Sequence, residues 1–424
     1  MKIIVKGAMT ILFLSFLLPD AYAEDGMTWN DCVSEAAKNH PDLISAAGKL
    51  KQFRADKEIV RSSTLPQISS EVNSRRTGVD TGVTRSTSDT YSYGVTGKQL
   101  LFDGFKTSND VGAASENIKA SQYDYAVTSS NVRLNLSTAF AGLLRAQALL
   151  SITEDIALRR NQNLELVRLR YEAGREHEGS LLTAEADLAQ AELEVMQAKR
   201  NITLAQRQLM KELGRKRFAP IKVIGDFEIT EIDRVKPDFD YLADNTPLLK
   251  ELIAKREAVR FGVKSVKADF SPQVYLDGSL GKSDSSWPPS AEQWSAGISL
   301  SFPLFEGGSR IAKVSKAKAE LNQAKADEQS GRDGILFTLE KTWVEFQDAI
   351  DNISVRQKYL EAAEKRAKIA NAQYSAGLIS FNDWIIIEDN LVSTKKSFLD
   401  SRASMLITEA NWIQARGGIL EYDK

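Results

Sequence analysis

The second half of the chain repeats the first half, and this duplication constrains the fold more than any other feature. An apolar seam with a seven-residue period begins at Leu181 and continues to Leu209, with alanine three residues after each of its first four positions. The same seam returns 203 residues later, from Trp384 to Trp412. Heptad seams make helices pack side by side with a left-handed twist. The sequence therefore predicts two related sets of long helices.

The placement of proline supports this interpretation. None of the ten prolines falls between Pro66 and Pro220, and none follows Pro303. Because proline removes a helical hydrogen bond, long helices need such proline-free tracts. The predicted helices are two long ones, over about 105–170 and 308–373, and two shorter ones, over about 180–213 and 382–416. A helix of 66 residues is roughly 100 Å long, so it must bury its apolar seam against neighbouring helices.

Four segments show a period of two instead, with larger side chains alternating with small or polar ones. The predicted strands cover about 67–76, 91–102, 273–282 and 293–304. Between them, Thr77 to Thr90 and Ser283 to Glu292 are rich in turn-forming residues, which predicts hairpin loops. Strands of about ten residues cross a bilayer when they are tilted.

The clearest alternation surrounds Ser299. We expect Trp294, Ile298 and Leu300 to face lipid and Ser299 to face a lumen. A sheet in lipid must close on itself, because unpaired backbone groups cost several kcal/mol each there. Bacterial barrels start at eight strands, so four strands per chain require more than one copy. Three copies would close a twelve-stranded barrel.

The N-terminus reads as a secretory signal peptide, with Lys2 and Lys6 before an apolar run and Ala21-Tyr22-Ala23 as the cleavage site. The alternative, a membrane anchor, needs about 20 apolar residues, which is more than this run provides. The predicted division is a signal peptide at 1–23, a first repeat at 24–214, a linker at 215–244, a second repeat at 245–418 and a C-terminal tail at 419–424.

Composition argues against several functions. The formal charge of −2 lacks the basic excess of a nucleic-acid binder. Cys32 is the only cysteine, which excludes a disulfide within the chain and a cysteine metal cluster. The stretch from Gly278 to Ser283 resembles the end of a phosphate-binding loop, but the required earlier glycine is Leu276. We predict no enzyme, no cofactor and no metal site.

Short motifs recur between these elements in a fixed order. Leu101-Phe102-Asp103-Gly104 returns as Leu304-Phe305-Glu306-Gly307, and Tyr171-Glu172-Ala173-Gly174 returns as Tyr374-Ser375-Ala376-Gly377. This order, duplicated and preceded by a signal peptide, resembles the TolC-family outer-membrane efflux proteins. The resemblance implies a mainly α fold with a membrane β-barrel: a homotrimer, with a twelve-stranded barrel in the outer membrane and a helical barrel in the periplasm. It also implies partners, a periplasmic adaptor (membrane fusion) protein and an inner-membrane transporter of RND or ABC type.

By the same resemblance, the two turns between long and shorter helices form the periplasmic tip of a channel. The implied adaptor-docking residues are Gly174, Arg175, Gly377 and Leu378, and the implied constriction residues are Tyr374 and Asp383. Where the family pattern can carry charged residues, this chain has Ser180, Ile379 and Ile386. We therefore expect apolar contacts to hold the tip, and we expect Asn382 or Asp383 to cap the following helix.

Two other classes of envelope protein fit the sequence less well than an export duct. A trimeric coiled-coil structural or adhesin-like protein would not need membrane-length hairpins. A periplasmic adaptor would need compact β domains beside its helical hairpin, and the sequence lacks them. The sequence leaves open whether the exported substrate is a drug, a toxic compound or a secreted protein.

Overall fold

The computed structural model describes residues 26–227 and 234–420. The predicted signal peptide lies outside these ranges, as do residues 421–424 of the predicted tail and residues 228–233 of the predicted linker. Within the described residues, eight helices and one four-stranded sheet follow one another in the order α1-α2-β1-β2-α3-α4-α5-α6-β3-β4-α7-α8.

The helices come in matching sizes from the two repeats. Their bounds are α1 Trp29–Asn39, α2 Pro41–Ser62, α3 Lys106–Glu172, α4 Glu178–Glu212, α5 Phe239–Asn245, α6 Pro247–Ala268, α7 Ser309–Ser375 and α8 Phe381–Ala415. The long helices α3 and α7 have 67 residues each, and α4 and α8 have 35 each. The four helices predicted from the sequence, α3, α4, α7 and α8, each begin and end within two residues of their predicted bounds. The short helix α5, which begins inside the predicted linker, was not predicted.

The strands are β1 Gln67–Asp80, β2 Arg85–Phe102, β3 Gln273–Asp284 and β4 Glu292–Ser301. The first hairpin is taller than predicted, because most of the segment from Thr77 to Thr90 continues the ladder, down to the pair Asp80–Arg85. Only residues 81–84 form its turn. The expectation of a long loop there was wrong. Ser, Thr and Asp favour loops, yet on a sheet without a buried face they can occupy strand positions.

The strand register separates two faces of the sheet. Ile298 pairs with Leu276, and Leu300 pairs with Val274, so apolar side chains of neighbouring strands lie together on one face. This face continues across the sheet and is exposed. Its large exposed members are Ile68, Val72, Tyr93, Val95, Leu276, Leu280, Trp294, Ile298 and Leu300. The opposite face is polar, and there the Ser299 hydroxyl donates to Asp277 Oδ2 at 2.6 Å.

Each layer of the molecule is an open row of four elements. The sheet has the order β1-β2-β3-β4. In the helical part beside the sheet, α3 packs on both α2 and α6, and α6 packs on α7. In the lower part, α3 packs on both α4 and α8, and α8 packs on α7. Within the described residues, every layer therefore ends in a first-repeat element on one side and in β4 or α7 on the other.

A band of packing around the middle of the long helices joins the ends of the chain to them. The linker residues Ile221, Val223 and Phe227 are buried against α1, α3 and α4. Gln147 of α3 fixes the linker through both polar atoms of its side-chain amide. Its Nε2 donates to the Val223 carbonyl at 2.9 Å, and its Oε1 accepts from the Val223 N–H at 3.0 Å. The linker thus packs against the outside of the helices.

Candidate functional site at the helical tip

Two turns with the same conformation close the far ends of the helix pairs. We call them the tip, residues 173–177 between α3 and α4 and residues 376–380 between α7 and α8. Gly174 and Gly377 have φ values of +68° and +75°, the left-handed conformation that glycine adopts without a steric penalty. The N–H of the next residue bonds back across each turn, from Arg175 to the Arg170 carbonyl and from Leu378 to the Gln373 carbonyl, both at 2.8 Å. These bonds satisfy carbonyls at the helix ends.

The helices that leave the tip are capped by side chains. His177 caps α4, with its Nδ1 accepting from the Ser180 N–H at 3.2 Å. Ser380 caps α8: its hydroxyl accepts from the Asp383 N–H at 3.1 Å and donates to Asp383 Oδ2 at 2.7 Å. The expectation that Asn382 or Asp383 is the cap residue was therefore wrong by two or three positions. Asp383 instead supports the cap from the first turn of α8.

An aromatic cluster fills the inside of the tip. The Tyr374 ring is stacked on Trp384 with centroids 4.2 Å apart, and Phe381 packs edge-on against both. Tyr374 and Trp384 have no exposed surface. The Tyr374 ring is thus buried within its own chain, and its implied part in a constriction stays a prediction.

Glu176 is the polar centre of the tip, and the sequence reading missed it. Its carboxylate accepts from the Tyr374 hydroxyl at 2.8 Å, from the Ser180 hydroxyl at 2.9 Å and from the His177 N–H at 3.3 Å. The tip therefore combines the expected apolar contacts with a hydrogen-bonded carboxylate. The available signal was the equivalent position in the second repeat, Ile379, because a charge replacing an apolar residue in a duplicated turn indicates a local difference in contacts.

The electrostatics of this centre follow from its partners. Burial alone would raise the pKa of the Glu176 carboxyl, but the hydrogen bonds from Tyr374, Ser180 and the His177 backbone lower it below its ordinary value. Burial, together with the bond to Glu176, raises the pKa of the Tyr374 hydroxyl. The Arg170 guanidinium lies over the Tyr374 ring at 4.6 Å and donates to the Tyr374 carbonyl at 2.7 Å. The first turn is thus tied to the second within one chain.

Further ion pairs join the two repeats above the tip. Arg159 of α3 binds Glu388 of α8 through two nitrogens, with Nη2 to Oε1 at 2.7 Å, and only 2% of the Glu388 side chain is exposed. The neighbouring Arg160 binds Asp389. Planar guanidinium groups suit such two-point contacts with carboxylates. These pairs hold α3 and α8 in register where the two repeats meet.

The residues implied in docking and conduction are mostly on the surface of the tip. Gly174, Arg175 and Gly377 are exposed, Leu378 is 74% exposed, and Asp383 is exposed beside its cap. The structure thus brings the implied docking residues together on the two turns. Within residues 26–227 and 234–420, no group of three or more histidine, cysteine or acidic side chains could hold a metal ion.

Comparison with known proteins decides the family. The family described as "Outer membrane efflux protein" matches residues 32–215 and 240–418, one match in each repeat. The chain belongs to this family. It is an outer-membrane export channel, as the motifs implied, and the alternative of a structural or adhesin-like coiled coil is not supported.

Individual relatives are distant but nearly full-length. The chain is 20% identical over 398 residues to the outer membrane efflux protein BepC of Brucella suis, covering 92% of this chain and 85% of BepC. It is 23% identical over 445 residues to the alkaline protease secretion protein AprF of Pseudomonas aeruginosa, covering 98% and 90%. A solved structure of CusC has the same fold, with a TM-score of 0.82, 20% identity and 91% of each chain covered.

Proposed function

We propose that three copies of this efflux-family chain close into one continuous tube that serves as a passive exit duct. Twelve strands would form its outer-membrane barrel, and twelve helices would form each periplasmic layer. The tip would dock on a periplasmic adaptor protein, which links it to an inner-membrane transporter of RND or ABC type. The duct itself has no energy source, so the transporter supplies the direction of export.

One observation carries the proposal: all three layers are open rows, and each row begins with a first-repeat element on the same side and ends with a second-repeat element on the other. The unpaired edge of β4 and the free flank of α7 lie on one side, and β1, α2 and α4 lie on the other. Exposed apolar side chains follow both flanks. They are Leu182, Leu193, Met196 and Leu204 on α4, and Val344, Val355, Tyr359 and Ile369 on α7. Joining such edges head to tail around an axis gives a ring.

The duplication also specifies how the strands meet between copies. Inside the chain, β2 and β3 pair with Gly97 opposite Gly278. Residues up to β1 lie 206 positions before their equivalents in the second repeat, and residues from β2 onward lie 203 positions before theirs. Applying these offsets to the pair of Gly97 and Gly278 puts Leu300 of one copy opposite Val72 of the next copy. Both side chains belong to the apolar face, so this register continues the lipid-facing surface. A shift by one residue would bring a polar side chain to that face.

Disulfide crosslinking tests the assembly and its register together. In a Cys32→Ala background, Val72→Cys combined with Leu300→Cys should give an oxidation-dependent ladder that ends at three chains on a denaturing gel, and reductant should reverse it. The matched control, Asn73→Cys with Leu300→Cys, places the two thiols on opposite faces and should crosslink far less. Equal crosslinking of both pairs, or a ladder ending at another number, would contradict the proposal.

Docking at the tip is tested separately. Leu378→Asp places a charge on the most exposed apolar residue of the second turn and should reduce co-purification of the adaptor and transporter from cells. The control substitution must lie outside the proposed contact between copies, which excludes positions on the α7 flank such as Ile369. Ser375→Asp, exposed at the end of α7, is the better control. The proposal fails if adaptor recovery is unchanged while the trimer is intact.

A further inference from the structure

The second repeat contains a partly open cavity at a position that side chains fill in the first repeat. A cavity of about 400 Å³ lies where α3, α7, the start of α6 and the end of α8 meet. Its walls include Thr246, Ile335, Thr338 and Ala415, and none of the lining residues that the structure describes is charged. This volume falls in the range of small-molecule sites, which are mostly apolar with a few polar groups.

The first repeat shows what normally occupies this position. By the repeat offsets, Thr246 corresponds to His40, and Ala415 corresponds to Glu212. His40 and Glu212 are both buried, and their side chains meet with Nε2 and Oε2 3.5 Å apart. The flanking structure is retained in both repeats, since Pro41 and Pro247 both begin their helices. Two large side chains have therefore been exchanged for two small ones on an otherwise matching backbone.

Two glycines in the middle of α7 contribute to the same space. Gly331 and Gly334 both line the cavity and correspond to Thr128 and Asn131 of α3. A Cβ on Gly331 would lie 2.3 Å from Leu252 Cδ1, so the Leu252 side chain of α6 packs into the space that this glycine leaves. A Cβ on Gly334 would meet nothing within 4 Å. Since glycine is the least favourable helix residue after proline, packing does not account for Gly334, whereas keeping the cavity open does.

We infer that this cavity binds a neutral, predominantly apolar small molecule. The absence of charge among the described lining residues disfavours an ion, because an unpaired charge is costly to bury. The hydroxyl groups of Ser130 and Thr338 donate to backbone carbonyls of the wall and retain lone pairs that can accept one hydrogen bond from a ligand. The cavity opens beside Leu248, which is 42% exposed.

Bromobenzene is a suitable probe, because apolar protein cavities take up benzene-sized molecules and bromine can be located by its anomalous scattering. Crystals of the detergent-solubilised trimer should show one bromine peak per chain inside the cavity after soaking. The peak should be lost in Gly334→Leu. It should also be lost in Thr246→His with Ala415→Glu, which copies the filled arrangement of the first repeat.

Gly142→Leu is the matched control. Gly142 is also a glycine inside a long helix, and a Cβ there would likewise meet nothing within 4 Å. This variant should retain the bromine peak. The inference is overturned if the parent trimer shows no peak, for example because a side chain of the neighbouring copy fills the space, or if the peak persists in both filled variants. Either outcome leaves the crosslinking test of the trimer unaffected.

Discussion

The two repeats share a backbone and differ in the individual residues that give each half its task. Glu176 gathers hydrogen bonds at the tip where its equivalent is Ile379, and Gln147 holds the linker where its equivalent is Ile350. In both cases a polar residue replaces an apolar one at a partly buried position. Such a group must find partners, because an unpaired buried polar group costs about 1–3 kcal/mol. Departures from the repeat therefore mark local function.

Replacing Glu176 with glutamine should loosen the tip. The change keeps the shape but removes the charge that Tyr374 and Ser180 donate to, and hydrogen bonds to charged groups contribute about 1.5–3 kcal/mol. Amide hydrogen exchange in the first turn of α4 should become faster, while exchange at the middle of α3 stays unchanged. Glu178→Gln, a nearby exposed change, is the control. Unchanged exchange in α4 would show that the carboxylate does not hold the turn.

Acid should have the same effect on the parent protein. The folded pKa of Glu176 is lowered from an ordinary value of 4.5, so its contribution is complete above that pH and is lost as the pH falls through the folded pKa. Exchange in the first turn of α4 should therefore accelerate below about pH 4.5. The Glu176→Gln variant should lack this acid-dependent step. A step of equal size in both proteins would assign it to another group.

Asp383 should govern ion selectivity if three copies face the axis at the tip. Three carboxylates in a narrow opening attract cations and repel anions. In planar bilayers, Asp383→Asn should reduce cation selectivity and weaken block by multivalent cations. Ser380→Ala removes the cap hydroxyl, at a cost of about 1 kcal/mol, but keeps the carboxylate, so it should retain selectivity. If both variants conduct like the parent, Asp383 serves only its helix.

At the scale of the elements, periodicity was informative wherever one face of an element is buried. The heptad seams located α4 and α8 to within two residues, because the side chains at those positions pack against a neighbouring helix, and the proline-free tracts located α3 and α7 equally well. The upper part of the first hairpin was missed because its outer half carries no apolar alternation, whereas β4, which is equally exposed, alternates and was predicted. The aromatic cluster and Glu176 network of the tip depend on which turns meet in space, and local sequence does not encode that.

The register of β4 can be tested with two adjacent residues. Ile298 lies on the exposed apolar face, where an arginine near the bilayer midplane costs about 2–4 kcal/mol. Ser299 lies on the polar face beside Asp277, where an arginine finds a carboxylate. Ile298→Arg should therefore lower the yield of assembled protein in the outer membrane, and Ser299→Arg should not. Equal yields would mean that the two faces have been assigned the wrong way round.

At the scale of the whole molecule, one chain exposes surfaces that only further copies can cover. The apolar flanks of α4 and α7 and the free strand edges lie on opposite sides of every layer. In lipid, each unpaired strand edge would cost several kcal/mol per backbone group. The stable unit in a membrane is therefore expected to be the closed ring, with no stable inserted monomer.

Detergent-corrected light scattering should accordingly give three chains per particle across a wide range of dilution. Leu193→Asp combined with Met196→Asp, which places charges on the α4 flank, should shift the population toward smaller species. Leu158→Asp, an exposed position on α3, offers a comparison outside the two flanks. A parent protein that dissociates into a folded monomer on dilution would contradict the ring.

The unequal hairpins would shape what the cell presents to its surroundings. The ladder between β2 and β3 ends at Tyr91 and Asp284, whereas β1 and β2 stay paired out to Asp80 and Arg85. In a three-fold ring, three tall hairpins would alternate with three lower segments around the outer rim of the barrel, with residues 81–84 at the end of each tall hairpin. Val83, 91% exposed, would be among the first side chains that an antibody or an external protease encounters, so an epitope tag belongs there.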